Sequence, residues 1–269
     1  MPTSRKAPLA LLFVLATANS QPLFAQKPEE FRARRAALLQ SLHPESLLVL
    51  RGADPSARSM DGRFRQHGNF FYLTGVTAPG GVLVLRTVAA PEEQEFLYTS
   101  SQDAEAVSGV GNIQPERQFD GGDFEKFLRS GIKTVYLSSS GSSRRRFRRR
   151  AEPSADELLV KKVQADGVEV KVEDSPGSVI NAMRAVKSPS EIELLRAAID
   201  ITCSAQKEAM RSAVPGIYEY QLQEIIEHVF RMNGSSRTGF PSICGSGPNS
   251  CEPHWMKNDR ETEEGDLSG

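Results

Sequence analysis

Short, uninterrupted apolar runs that alternate with helix-period stretches constrain this chain more than any other feature. Ser46-Leu47-Leu48-Val49-Leu50, the run 81–85 behind the Pro79-Gly80-Gly81 turn, and the stretches 95–98, 134–137 and 168–172 have the length and side chains of short strands. Phe70-Phe71-Tyr72-Leu73, which ends at Gly75, reads as a further strand. Helical patterns lie among them: 28–42, with Phe31, Leu38, Leu39 and Leu42 inward and an arginine-rich outer face, then 123–129 and 155–162. Strands interleaved with helices predict an α/β layer with a mixed sheet.

From residue 188 the pattern changes. Ser188-Pro189-Ser190-Glu191 is a capping box with proline at the first helical position, so Ser188 can accept a first-turn amide while Glu191 reaches back. The stripe Ile192, Leu195, Ile199, Cys203 and Met210 follows at helical spacing and is closed by Val214-Pro215-Gly216. A second helix over 219–232 carries Leu222, Ile225, Ile226, Val229 and Phe230 on one face, and Asn233-Gly234 stops it. Both helices are expected to be half-buried over a sheet that begins at Phe240. The Gly/Pro/Asn-rich stretch 240–267 comes last and carries the lone imidazole of His254.

Arg5 and Lys6, the apolar run 7–18 and the small residues after it have the pattern of an export signal, cleaved after Ser20 or Ala25. The run is shorter than the roughly 20 apolar residues that span a bilayer. The expectation is an exported protein, periplasmic or secreted, with residues 1–25 as signal peptide and no membrane association after cleavage. A formal net charge of -1 gives no global pull toward nucleic acid. The basic tract 144–150 lacks aromatic platforms and reads as a solvated face, so no nucleic-acid partner is expected. Cys244 and Cys251 are near enough in sequence for a disulfide. The preferred reading makes them and Cys203 small buried hydrophobes.

Three blocks then resemble one family, in order. Arg63-Phe64-Arg65-Gln66-His67-Gly68-Asn69-Phe70-Phe71-Tyr72-Leu73-Thr74-Gly75 is similar to the FRQxSxFYYLTG signature of the aminopeptidase P N-terminal domain. Met183-Arg184-Ala185-Val186-Lys187-Ser188-Pro189-Ser190-Glu191-Ile192-Glu193 is similar to the opening of that family's catalytic domain. The third block joins Pro215-Gly216-Ile217-Tyr218-Glu219-Tyr220-Gln221-Leu222 to Gly245-Ser246-Gly247-Pro248-Asn249, a cysteine and His254, and it is the most specific.

The resemblance implies an α/β (α+β) fold: a creatinase-like N-terminal α/β domain over 27–174, then the first part of a pita-bread metallopeptidase domain over 177–269. It implies Xaa-Pro aminopeptidase chemistry on a proline-containing peptide, in a homo-oligomer, with two Mn2+ ions that share an activated water. His254 matches the family's first active-site histidine, a catalytic group that contacts substrate and stabilises the tetrahedral intermediate by hydrogen bonding. Without the family, His254 reads as an incidental loop histidine. Pro253 departs from the aliphatic residue usual in the family, Trp255 fits its aromatic position, and Asn249 and Asn258 read as turn and loop supports.

The family's ligands, two aspartates, a histidine and two glutamates, come after the step matched by Gly265-Asp266-Leu267, so no residue of this chain is assigned to metal. Asp266 is read as part of the turn, and Glu261, Glu263 and Glu264 as a solvated loop. On this reading the chain is C-terminally truncated, inactive alone and poorly stable from about residue 177 onward. Two alternatives stand beside it: a prolidase-type dipeptidase of the same superfamily, and a non-catalytic dimerising fragment.

Overall fold

A computed structural model describes residues 26–59, 62–137, 155–172 and 179–267. The expected export signal, the basic tract 144–150 and the expected junction at Pro176-Gly177 lie outside the described residues. The chain runs through α1 (Pro28–Ser41), β1 (Ser46–Arg51), α2 (Gly68–Thr74), β2 (Val82–Arg86), β3 (Glu95–Tyr98), α3 (Ala104–Ser108), β4 (Ile113–Gln114), α4 (Glu116–Gln118) and α5 (Phe124–Leu128). It continues through β5 (Thr134–Leu137), α6 (Ala155–Ala165), β6 (Glu169–Val172), α7 (Val179–Ala185), α8 (Pro189–Ser212) and α9 (Glu219–Met232).

The strands form one mixed sheet in the order β4-β3-β2-β1-β5-β6. β1, β2 and β3 pair antiparallel, while β5 runs parallel to β1 and to β6, and β4 parallel to β3. β1 lies inside the sheet, with Leu48 opposite Leu85 on one side and Tyr136 on the other. The uninterrupted apolar runs follow from burial on both faces. Leu48, Leu50, Leu83 and Leu85 pack with Leu38, Phe70 and Leu73 on one face; Leu47, Val49, Val82 and Val84 pack with Phe119, Phe124 and Leu159 on the other. Ile180 of α7 joins the first of these clusters, so the chain returns to the sheet domain before α8 begins.

Two local expectations are corrected. Phe70-Phe71-Tyr72-Leu73 is not a strand but the body of α2, with Phe70, Tyr72, Leu73 and Thr74 buried. A short apolar run does not distinguish the two; here Gly75, at φ 70°, ends the helix by donating its N–H to the Phe71 carbonyl at 2.7 Å. A side chain at Gly75 would also collide with the ring of Phe31.

The second correction concerns α1, whose face is not an outer arginine surface at positions 34 and 35. Both arginines are buried. Arg34 donates to the Tyr72 carbonyl at 3.0 Å, and Arg35 donates to the Leu73 and Ser108 carbonyls, each at 2.9 Å. These carbonyls stand at the C-terminal ends of α2 and α3, where helices leave acceptors unsatisfied. Arg35 is further paired with Glu95 at 3.0 Å, and the Arg34 guanidinium stacks over the Tyr72 ring at 4.1 Å.

The capping box at the start of α8 forms as expected: Ser188 Oγ accepts the Glu191 N–H at 3.2 Å, and Glu191 Oε2 accepts the Ser188 N–H at 2.8 Å. The same residues tie the helix to α1. Ser188 donates to Glu30 at 2.6 Å, Ser190 also donates to Glu30, and Arg34 pairs with Glu191 at 3.1 Å. α8 packs against α9, but Ile192, Leu195, Ile199 and Met210 stay exposed. No strand appears after α9 among the described residues; the segment from Phe240 onward is irregular, with a short 3-10 turn at Gly247–Cys251. Cys244 is buried as expected, whereas Cys203 and Cys251 are exposed, and all three are free thiols. No helix among the described residues is long and apolar enough to cross a membrane.

Candidate functional site

The chain around His254 is shaped by the first turn of α9. Residues 216–219 lie alongside 260–262: Gly216 donates to the Thr262 carbonyl at 2.8 Å, Thr262 to Ile217 at 2.8 Å, and Glu219 to Arg260 at 3.0 Å. This strip sets the Glu219 side chain beneath the loop. Its Oε1 accepts the Ser246 N–H at 2.6 Å, the Ser246 hydroxyl at 2.8 Å and the Asn249 amide at 3.0 Å. Its Oε2 accepts the Trp255 indole N–H at 2.8 Å and the Arg260 N–H at 3.1 Å. Burial pushes the Glu219 carboxyl up, but these donors, led by Asn249 and Trp255, outweigh it and hold the group down to about 2.

Two further polar side chains continue the same face of α9 at helical spacing. Gln223 accepts from the Asn258 amide at 2.8 Å, and Glu227 accepts the Ser242 hydroxyl at 2.8 Å. Asn258 is buried at φ 50°, accepts the Cys244 N–H at 3.0 Å and donates to the Ser242 carbonyl at 2.9 Å. Asparagine tolerates this left-handed backbone because its short amide bonds locally. Gly245 is required by close approach, since a side chain there would lie 2.7 Å from the Asn249 carbonyl oxygen. The reading of Asn249 and Asn258 as supports matches these contacts.

His254 itself occupies an exposed turn between the 3-10 turn and Trp255. Asp266 is bound by the Arg260 guanidinium, which holds its carboxyl below the usual range, and it accepts the Glu263 N–H at 2.8 Å. Arg260 also donates to Ser246 Oγ at 2.9 Å, so the Asp266 turn is joined to the Glu219 network. Glu261, Glu263 and Glu264 are exposed. Burial, followed by the charges of Glu219 and Glu227, pushes the Cys244 thiol up to about 11, which leaves it a poor nucleophile.

Among the described residues no group of three or more His, Cys, Asp or Glu side chains could hold a metal ion. The buried carboxylate, Glu219, is saturated by donors, and Asp266 is taken by Arg260. These residues do not form a metal centre. What they do form is a hydrogen-bonded platform beneath the turn that carries the exposed His254.

Glu219 is the organising residue that the sequence did not single out. The signal was present: Glu219, Gln223 and Glu227 recur at a spacing of four on a helix otherwise notable for its apolar stripe.

Comparison with known proteins now connects this platform to a family. The profile described as the aminopeptidase P N-terminal domain matches residues 31–119, and that of metallopeptidase family M24 matches residues 193–268. The Xaa-Pro aminopeptidase of Escherichia coli is 30% identical over 254 residues, which cover 89% of this chain and 57% of that protein. The Xaa-Pro dipeptidase of Pyrococcus horikoshii is 29% identical over 199 residues, 74% of this chain and 51% of that protein. Among solved structures, Escherichia coli aminopeptidase P with the inhibitor Pro-Leu superposes with a TM-score of 0.71 at 26% identity, covering 91% of this chain and 58% of that one. The chain thus spans just over half the length of the relatives it matches. With the N-terminal domain and the start of the M24 domain both present in a mixed α/β structure, the chain belongs to the aminopeptidase P family.

Proposed function

We propose that this chain is the N-terminal domain and leading catalytic segment of an exported Xaa-Pro aminopeptidase, which hydrolyses the bond between an N-terminal residue and the proline that follows it. The observation that carries this reading is the pinned segment around His254, in a chain similar to Xaa-Pro aminopeptidases. An exposed imidazole on a backbone fixed from both sides can hydrogen-bond a substrate carbonyl, and then the oxyanion of the tetrahedral intermediate, without reorganising. The M24 family is one of metallopeptidases, and in this proposal its two ions are manganese, held by residues outside those described. Residues 27–174 act as the domain that builds a homo-oligomer, residues 177–269 carry the catalytic segment, and residues 1–25 direct export.

A second reading has its own support, since the chain is also similar to Xaa-Pro dipeptidases over 199 residues. A matched assay on the full-length protein separates the two: Xaa-Pro dipeptides against Xaa-Pro-Xaa peptides, with added manganese, on the wild type and on His254→Ala. Cleavage of the longer peptides, lost by about 10²-fold or more in His254→Ala, supports the aminopeptidase. Cleavage confined to dipeptides supports the prolidase. No turnover and no bound manganese on the 269-residue chain supports a non-catalytic role for it on its own.

A further inference from the structure

We infer that Glu219 is the positioning residue for His254: its carboxylate holds the two flanks of the segment that carries the imidazole. The inference rests on the reading of His254 as the group that contacts substrate.

The donors to Glu219 come from both sides of that imidazole. Ser246 and Asn249 precede it and bind Oε1; Trp255 and Arg260 follow it and bind Oε2. One carboxylate therefore sets the distance between the two ends of the stretch 249–255, within which His254 lies. Every partner is a donor, so the site requires an acceptor-only group. A glutamine there would turn an NH2 against at least one N–H or O–H. Asn258 supplies a second support, but it ties 258 to 242–244 and to Gln223, and so leaves the stretch 249–255 to Glu219.

Among the described residues no other carboxylate accepts from Ser246, Asn249, Trp255 or the Arg260 backbone N–H. Around Glu219 the titratable groups are Cys244, which is neutral and buried, Arg260, whose guanidinium is engaged with Asp266, and Glu227, which is bonded to Ser242 and Gln223. The carboxylate is also tied to α9 itself, because Glu219 is the first residue of that helix. The position of the imidazole is thereby referred to a helix rather than to a loop, the more precise way to hold a reacting group.

The test uses the 269-residue chain and its single tryptophan. The indole N–H of Trp255 gives one NMR resonance, and the His254 ring resonance is assigned by its loss in His254→Gln. In Glu219→Gln the indole resonance is expected to move upfield and the His254 resonance to shift toward its free-peptide position. Glu264→Gln, which alters an exposed acid in the same segment, is expected to move neither. Unmoved indole and imidazole resonances in Glu219→Gln would overturn the inference.

If Glu219→Gln loses its far-UV circular dichroism, acid titration of the wild type decides instead. The two resonances should then change together as the pH falls through about 2, and Asn249→Ala, which removes one donor, should raise that midpoint. A midpoint unmoved by Asn249→Ala would count against the inference. In the peptidase assay of the full-length protein, Glu219→Gln and His254→Ala should be non-additive; additive losses would also overturn it. Loss of function in neither variant, with the indole shift intact, would instead remove the functional reading and leave the anchoring in place.

Discussion

The sheet domain and the α8–α9 region are built from opposite materials. In the sheet domain, leucine and valine runs fill both faces of the inner strands, and two of its buried polar groups, Arg34 and Arg35, close helix ends. In the second region the fully organised part is polar: a carboxylate with donors on both oxygens, an asparagine with its amide shared among three partners, and an arginine–aspartate turn. Its large apolar side chains are largely exposed instead, on α8 at Ile192, Leu195, Ile199 and Met210. The two regions therefore keep their stability in different places. Apolar burial is non-directional and indifferent to pH, whereas a carboxylate network fixes geometry and depends on ionisation.

The sign of that dependence follows from the lowered carboxyl. Glu219 contributes its full share above its ordinary value near 4.5, and the contribution is lost as the pH falls toward about 2. Among the described residues, no carboxylate is buried in the core of the sheet domain.

The largest expected effect falls in the sheet domain. Leu48→Ala removes a fully buried side chain from an inner strand and should cost about 2–5 kcal/mol in urea unfolding. Trp255 fluorescence should report a separate, earlier transition in both proteins. A single coincident transition in the wild type would show that the regions are one cooperative unit.

A smaller effect sharpens the joint between them. Arg34→Ala deletes the contacts to Glu30, Glu191 and the Tyr72 carbonyl and should cost about 1.5–3 kcal/mol. Limited proteolysis should then cut α8 faster while the sheet domain persists; unchanged cleavage of α8 would mean that its capping box alone secures it. At the small end, Lys126→Ala removes an exposed partner of Asp123 and should change stability by no more than about 0.5 kcal/mol. A larger loss would contradict the account of the sheet domain as held by apolar burial.

Much of this was legible locally. The strands at 46–50, 81–85, 95–98, 134–137 and 168–172 all form, within a residue or so of the expected bounds. α8 begins at Pro189 because Ser188 and Glu191 satisfy each other's backbone, a relation contained within four residues. α9 spans Glu219–Met232, as its apolar stripe indicated. The two-residue strand β4 and the short helix α3 were missed, because neither is long enough to show a period. His254 was singled out through a family motif; the structure places it in an exposed turn whose flanks donate to Glu219.

What the sequence determined by itself was therefore the set of relations that act over a few residues: periodicity, caps, and the glycine and asparagine turns. Three matters were decided by tertiary structure alone. Phe70-Phe71-Tyr72-Leu73 became a helix because it packs against Phe31 and the sheet. Arg34 and Arg35 were buried because the carbonyls that need them belong to residues 38 and 73 positions away. Glu219 became an anchor because its donors lie 27 to 41 positions downstream. Burial and hydrogen bonding at such distances depend on where the chain returns, and no local pattern specifies that.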